Sequence, residues 1–217
     1  MIDLNKIKAC IFDLDGTLVD SMWMWHAIDE EYMQKFSIPL PEDLQWCISG
    51  MSLDETAVYF KNRFRISDSL SKIKSDWEEM SVEKYRNEVG LKPGAGEFLA
   101  ECQRREIRMG IATSNGKKMA DAVIDSLQIR NYFDVILTSH EFPKGKSSPD
   151  IYLKVSSELG ISPQDCLVFE DIPTGILAGK NAGMTVCAVE DDFSEGCRKE
   201  KEALSDYMIK DYGELIR

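Results

Sequence analysis

Two carboxylates one residue apart, Asp13 and Asp15, close the apolar run Ala9-Cys10-Ile11-Phe12 and are followed by Gly16-Thr17. Carboxylates at the end of a buried segment are unfavourable, because apolar surroundings oppose their charged form. A hard divalent cation relieves this, and Mg²⁺ favours a few carboxylate oxygens completed by water and phosphate. The plainer reading of the same residues is a strand-ending turn with a helix cap. A second carboxylate pair, Glu170-Asp171, ends the run Cys166-Leu167-Val168-Phe169 and serves the same cation if the two strands are neighbours. Thr113 ends a third run, and Ser114-Asn115 then opens a helix, whose N-terminal N–H groups and a hydroxyl make an anion site. Lys146 lies in a loop just before Ser148-Pro149, placed to add one positive charge. A lone loop lysine is usually just solvated. Four such groups in order at four strand ends describe instead a cation site beside an anion site.

The elements that must position them follow from apolar patterning. Runs at residues 8 to 15, Ile107–Thr113, Asp134–Thr138, Cys166–Glu170 and Met184–Val189 are near-continuously apolar, as strands of a parallel sheet buried on both faces are. Helical segments lie between them. Lys117–Leu127 is one; a second starts at Ser148-Pro149, with proline at its first position, and closes at Gly160; a third, Pro173–Ala182, stops at Gly183. Strand-helix alternation predicts an α/β fold, a doubly wound parallel-sheet core of Rossmann-like type, whose ligands lie outside the carboxyl ends of the strands.

Residues 21–90 break that rhythm with a helical pattern throughout. Trp25, Ile28, Tyr32 and Phe36 fall on one face. Ser52-Leu53-Asp54-Glu55 reads as a capping box opening a helix through Val58 and Tyr59, and a third helix runs through Ile73, Trp77 and Met80. The block is too long for a crossover. It predicts an all-helical cap domain, 21–90, over the sheet's C-terminal edge, inserted into a discontinuous core of 1–20 plus 91–217. Hinges near Asp20-Ser21 and Leu91–Gly94 would let the cap close and exclude water.

Of the 217 residues 43% are apolar and 29% charged, ordinary values for a soluble chain with a real core. Acidic residues outnumber basic ones 38 to 26, a formal charge of -12 that argues against nucleic-acid or anionic-membrane partners. No apolar run approaches the roughly 18 residues needed to span a bilayer, and the N-terminus does not read as a signal peptide. The six cysteines include no C-x-x-C pair, and Cys10, Cys166 and Cys187 fall in buried runs. Thiols used as small hydrophobes suit a reducing cytoplasm, and His26 and His140 are too few to make a zinc site. No heptad or long apolar stripe demands a partner, so a monomer is expected.

Asp13-Leu14-Asp15-Gly16-Thr17-Leu18-Val19-Asp20-Ser21 resembles the first motif of the haloacid dehalogenase superfamily, and Thr113, Lys146 and Glu170-Asp171 match its second, third and fourth. The stretches 145–152 and 169–176 resemble the branch containing β-phosphoglucomutase and small sugar-phosphate phosphatases. The resemblance implies a phosphoryl-transfer enzyme acting on a small phosphorylated substrate. Asp13 would be the nucleophile that forms an aspartyl-phosphate, and Asp15 the general acid and base. Mg²⁺ would be held by Asp13, the Asp15 carbonyl and Asp171, with Glu170 direct or through water. Thr113 and Lys146 would bind phosphoryl oxygens, with Ser114 and Asn115 beside them. Asp15 speaks against dehalogenation, whose enzymes lack an acid-base carboxylate there.

Transfer to water and transfer to a sugar differ in the cap. In β-phosphoglucomutase a histidine and two basic residues surround the sugar phosphate. Alignment by the first motif and Gly50 puts Trp25, Ser49 and Leu53 at those places, with His26 one position off and turned about a hundred degrees away. That favours a phosphatase, with the mutase as alternative. Trp23 and Trp25 point to nearly opposite sides, so one packs the cap, with Trp25 fitting its apolar stripe, while the other could meet the leaving group; the plainer reading is that both are packing. A catalytically silent binding module would have lost Asp13, Asp15 or the metal carboxylate, and none is missing. A phosphonate-cleaving enzyme would need a cap lysine forming a Schiff base, whereas Lys35, Lys61, Lys72, Lys74 and Lys84 all stand in charged, surface-like contexts.

Overall fold

The computed structural model describes residues 2–48, 51, 53–138, 142 and 145–216, with backbone alone at 45 and 46. Its elements in chain order are β1 (Ala9–Phe12), β2 (Val19–Asp20), α1 (Trp23–Gln34), α2 (Leu44–Ile48), α3 (Leu53–Arg63), α4 (Leu70–Asn87), β3 (Gly90–Leu91), α5 (Ala95–Arg104) and β4 (Arg108–Thr113). There follow α6 (Lys117–Ser126), β5 (Val135–Thr138), α7 (Asp150–Leu159), β6 (Cys166–Glu170), α8 (Pro173–Asn181), β7 (Thr185–Val189), α9 (Arg198–Leu204) and β8 (Tyr207–Ile209).

Six strands form one parallel sheet in the order β5-β4-β1-β6-β7-β8. The chain steps from β1 to one side, through β4 and β5, then returns to run β6, β7, β8 on the other. The order therefore switches at β1 and β6, which are hydrogen-bonded neighbours with Phe12 opposite Phe169. Their apolar continuity has a direct cause, since alternate side chains face opposite layers and both layers are helical. Ala9 and Ile11 join Val155, Leu159 and Ile176 of α7 and α8 in one core. Phe12 and Phe169 stack at 5.0 Å on the other face and meet Phe98 of α5 and Tyr212 edge-on or tilted. The five strands expected from the sequence are present, and β8 completes the sheet as a strand that the pattern did not announce. The helix after Ser148-Pro149 begins one residue later than expected, with Pro149 in its cap position, and closes at Gly160 in the left-handed region, φ 70°. Ser52 and His140 lie outside the described residues.

The chain divides into two compact units, 1–22 with 89–217, and 23–88. Within the first, β2 and β3 pair antiparallel, Val19 opposite Leu91, so the two strands flanking the inserted segment form one ribbon. The second unit's core joins Ile28, Tyr32, Phe60, Ile73 and Trp77, with Phe60 and Trp77 edge to face at 4.9 Å. Its apolar stripe along α1 runs Met24–Ile28–Tyr32 rather than from Trp25, which is half-buried. Both stripes satisfy helical spacing, and the i, i+4 series is the one that is buried. A short helix, α2, adds to the three expected. Lys84 corrects the reading of the helical lysines: it is buried, donating to Glu31 at 2.6 Å and Glu88 at 3.4 Å, with its ammonium 5.9 Å from the Trp23 ring. No helix among the described residues is long and apolar enough to cross a membrane.

Candidate active site

β1 ends at Phe12, so Asp13 stands at the carboxyl edge of the sheet, its N–H bonded to the Phe169 carbonyl of β6 at 3.0 Å. Neighbouring strands in this register bring Glu170 level with it. Asp13, Glu170 and Asp171 are all buried, and each offers an oxygen within 4.8 Å of the others. Lys146, in a short 3₁₀ turn at Gly145–Ser147, joins them: its buried ammonium donates to Asp13 Oδ1 and, at 2.5 Å, to Glu170 Oε1. Thr17 Oγ1 lies 3.1 Å from both Asp13 Oδ2 and Asp171 Oδ1, with one proton to give.

Two glycines permit this packing. Gly16, at φ 74°, is in a region that disfavours side chains, and a Cβ there would stand 2.6 Å from Asp171 Oδ2. At Gly175, in the first turn of α8, a Cβ would stand 2.0 Å from Glu170 Oε1.

Asp15 is held at both oxygens. Ser21 Oγ donates to Oδ1 at 2.6 Å and the Asn115 side-chain amide to Oδ2 at 2.5 Å. Asn115 N–H donates in turn to Thr113 Oγ1 at 3.0 Å, so the end of β4 and the loop after it are tied to the loop after β1. Asn115 and Thr113 are buried, whereas Ser114 is exposed. Trp23 and Trp25, half-buried, and the exposed His26, 3.8 Å from Glu30 Oε1, lie in the first turn of α1 and belong to the helical unit. Leu53, first residue of α3, is exposed; Ser49 and Gly50 lie outside the described residues. Sequence reasoning gave no role in the site to Thr17, Ser21 or Tyr152, because none is distinguishable by type or spacing from an ordinary buried hydroxyl.

The electrostatics are those of a site short of positive charge. Burial pushes the Asp13 carboxyl up to about 7, with Lys146 pulling it down and Glu170 and Asp15 adding to the rise. Burial, then Glu170 and Asp13, pushes Asp171 well above the carboxylate range. Burial alone would lower Lys146, but Asp13 and Glu170 outweigh it and hold its ammonium protonated. Among the described residues three carboxylates meet one ammonium, so ionising all three would leave two negative charges uncompensated in a buried space. A divalent cation with hard-oxygen preference matches both that charge and that donor set.

A parallel sheet with this switch point and these carboxylates defines a class. The family model described as haloacid dehalogenase-like hydrolase matches residues 10–189. The chain belongs to that family. It is 30% identical to a phosphorylated carbohydrates phosphatase of Thermotoga maritima over 82% of each chain. It is also 30% identical to β-phosphoglucomutase of Bacillus subtilis, over 84% of this chain and 83% of that one. A solved structure from Thermotoga maritima, provisionally described as a β-phosphoglucomutase, matches with TM-score 0.82 and 28% identity over 94% of both chains.

Proposed function

We propose that the protein is a Mg²⁺-dependent phosphohydrolase acting on a small phosphorylated metabolite, a sugar phosphate by class, through an aspartyl-phosphate on Asp13. The observation that carries this reading is the meeting of Asp13 with Lys146, Thr17 and the Glu170-Asp171 pair at the switch point of the sheet, with Asp15 pinned beside it. An Asp13 carboxylate oxygen attacks phosphorus, an Asp13 O–P bond forms, and the bond to the leaving oxygen breaks. Asp15 gives that oxygen a proton, then takes one from the water that cleaves the acyl phosphate. Lys146 and Thr113 bind phosphoryl oxygens and offset their growing charge. Asp13, Asp171 and the Asp15 carbonyl would hold the cation, which when bound supplies further positive charge to those oxygens.

The relatives include a phosphatase and a mutase at equal identity, so likeness alone does not choose. Water is favoured as acceptor because Trp25, Ser49 and Leu53 bring no cation to grip a second phosphate. The test is inorganic phosphate release from a panel of phosphorylated metabolites with Mg²⁺, using Asp13→Asn as blank and including β-glucose 1-phosphate with glucose 6-phosphate read in parallel. Release that needs both Mg²⁺ and Asp13 is the expected outcome. Glucose 6-phosphate without phosphate release would make the protein a mutase, and silence in both channels would count against the reading.

A further inference from the structure

One fully buried side chain beside the cluster has no part in that scheme. Tyr152, in the first turn of α7, donates its hydroxyl to Glu170 Oε1 at 2.9 Å. Lys146 donates to the same oxygen. Glu170 Oε2 accepts the N–H groups of Asp171 and Ile172 at 2.9 and 3.2 Å. A carboxylate offers about four lone-pair directions, and here donors of the protein take all of them. Gly175 and α8 close the remaining approach. Asp171 differs: among the described residues only the Thr17 hydroxyl donates to its side chain.

We propose that Tyr152 is a positioning residue, which by filling an acceptor position of Glu170 Oε1 leaves Lys146 free to turn toward Asp13 and the phosphoryl group. The inference rests on the proposed function for what Lys146 binds. Asp13 and Glu170 compete for one ammonium. The phenol meets part of Oε1's demand for hydrogen bonds, so Glu170 draws less on Lys146. With phenylalanine there, a wholly buried oxygen would have Lys146 alone to satisfy it, and the ammonium would be drawn away from the phosphoryl side.

Calorimetry with inorganic phosphate on the full chain in Mg²⁺ tests this without knowledge of the substrate. Tyr152→Phe is expected to weaken phosphate binding on the order of tenfold. Mg²⁺ affinity measured without phosphate should change by less than about twofold. 3-Fluorotyrosine at position 152, a more acidic phenol and stronger donor, should tighten phosphate binding; it decides the matter if circular dichroism shows the phenylalanine variant unfolded. Wild-type protein that binds phosphate no better than the folded Phe variant removes the role given to Tyr152. So does a Mg²⁺ affinity that falls in step with phosphate affinity, since that would put Glu170 on the cation. Wild-type protein that binds no phosphate overturns the proposed function and this assignment with it.

Discussion

Asn115 reaches from the loop after β4 to donate its side-chain amide to Asp15 Oδ2, one hundred residues earlier in the chain. Ser21 holds the other oxygen, and Thr113 accepts the Asn115 N–H, so the groups after β1 and β4 form one hydrogen-bonded chain. The general acid and base role proposed for Asp15 needs an aimed carboxyl, and two donors on two segments hold this one.

Asn115→Ala should therefore reduce kcat/KM rather than stability. A hydrogen bond to a charged group contributes about 1.5–3 kcal/mol, or roughly ten- to a hundredfold in rate. Ser21→Ala should do the same from the other oxygen, and the double variant should depart from additivity because both act on one carboxylate. Initial rates on the best substrate of the panel measure all three. An Asn115→Ala enzyme within about twofold of wild type would detach Asn115 from the chemistry.

Metal removal should act on stability as well as on rate. Without a cation, Asp13 and Asp171 are buried with raised pKa values, and among the described residues Lys146 alone is paired with the cluster of three carboxylates. Mg²⁺ at about a hundred times its dissociation constant should stabilise the fold by about 2.7 kcal/mol. That corresponds to a rise in Tm of about 5–10 °C for a chain of this size. Thermal melts in EDTA and in Mg²⁺ read the shift, and Asp171→Asn should abolish most of it. Equal melts in the two buffers would argue that no cation binds at this cluster.

The sheet was legible in the sequence because strands buried on both faces must be apolar at every position, as Cys166–Phe169 is. The carboxylates after them stood out for the same reason, being charges where the pattern leaves no room for one. β8 carried too little signal, since Tyr207 and Met208 are only half-buried and the strand is three residues long. The ribbon of β2 and β3 is two residues on each side and depends on a partner seventy residues away. The stripe expected from Trp25 begins at Met24 instead, because both residues lie at helical spacing from Ile28 and only the folded helix chooses between them. The contacts of Thr17 with Asp171 and of Tyr152 with Glu170 join different elements, and that of Ser21 with Asp15 closes across a turn, which spacing along one element does not reveal.

Gly175 supplies a steric prediction on the same cluster. A Cβ there would meet Glu170 Oε1 at 2.0 Å and Cδ at 2.2 Å, inside any tolerable contact. Glu170 is wholly buried and bonded on four sides, so α8 or the carboxylate must shift. Gly175→Ala should lower stability by about 1–3 kcal/mol, as overpacking does, although alanine is the better helix former. Urea melts should show a lower midpoint with an unchanged slope. An unchanged midpoint would mean that Glu170 moves aside freely and is not fixed by its four donors.

Lys84 was grouped by sequence with solvated lysines, and its burial changes what its charge must do. Burial would lower its pKa, but Glu31 and Glu88 outweigh that, so it stands above the ordinary lysine value of 10.5. A folded-state pKa above the unfolded one contributes stability that is fully present below pH 10.5 and is lost as pH rises past the folded value. Both partner carboxylates are about half-exposed, so the pair contributes little, about 1 kcal/mol or less. Lys84→Met keeps the apolar stem and removes the charge. It should lower the urea midpoint slightly at pH 7, and the difference from wild type should close in alkali. The protonated ammonium is also a poor nucleophile, so borohydride trapping with an aldehyde substrate analogue should leave Lys84 unmodified at neutral pH. A modified Lys84 would reopen the Schiff-base chemistry that a paired, protonated lysine argues against.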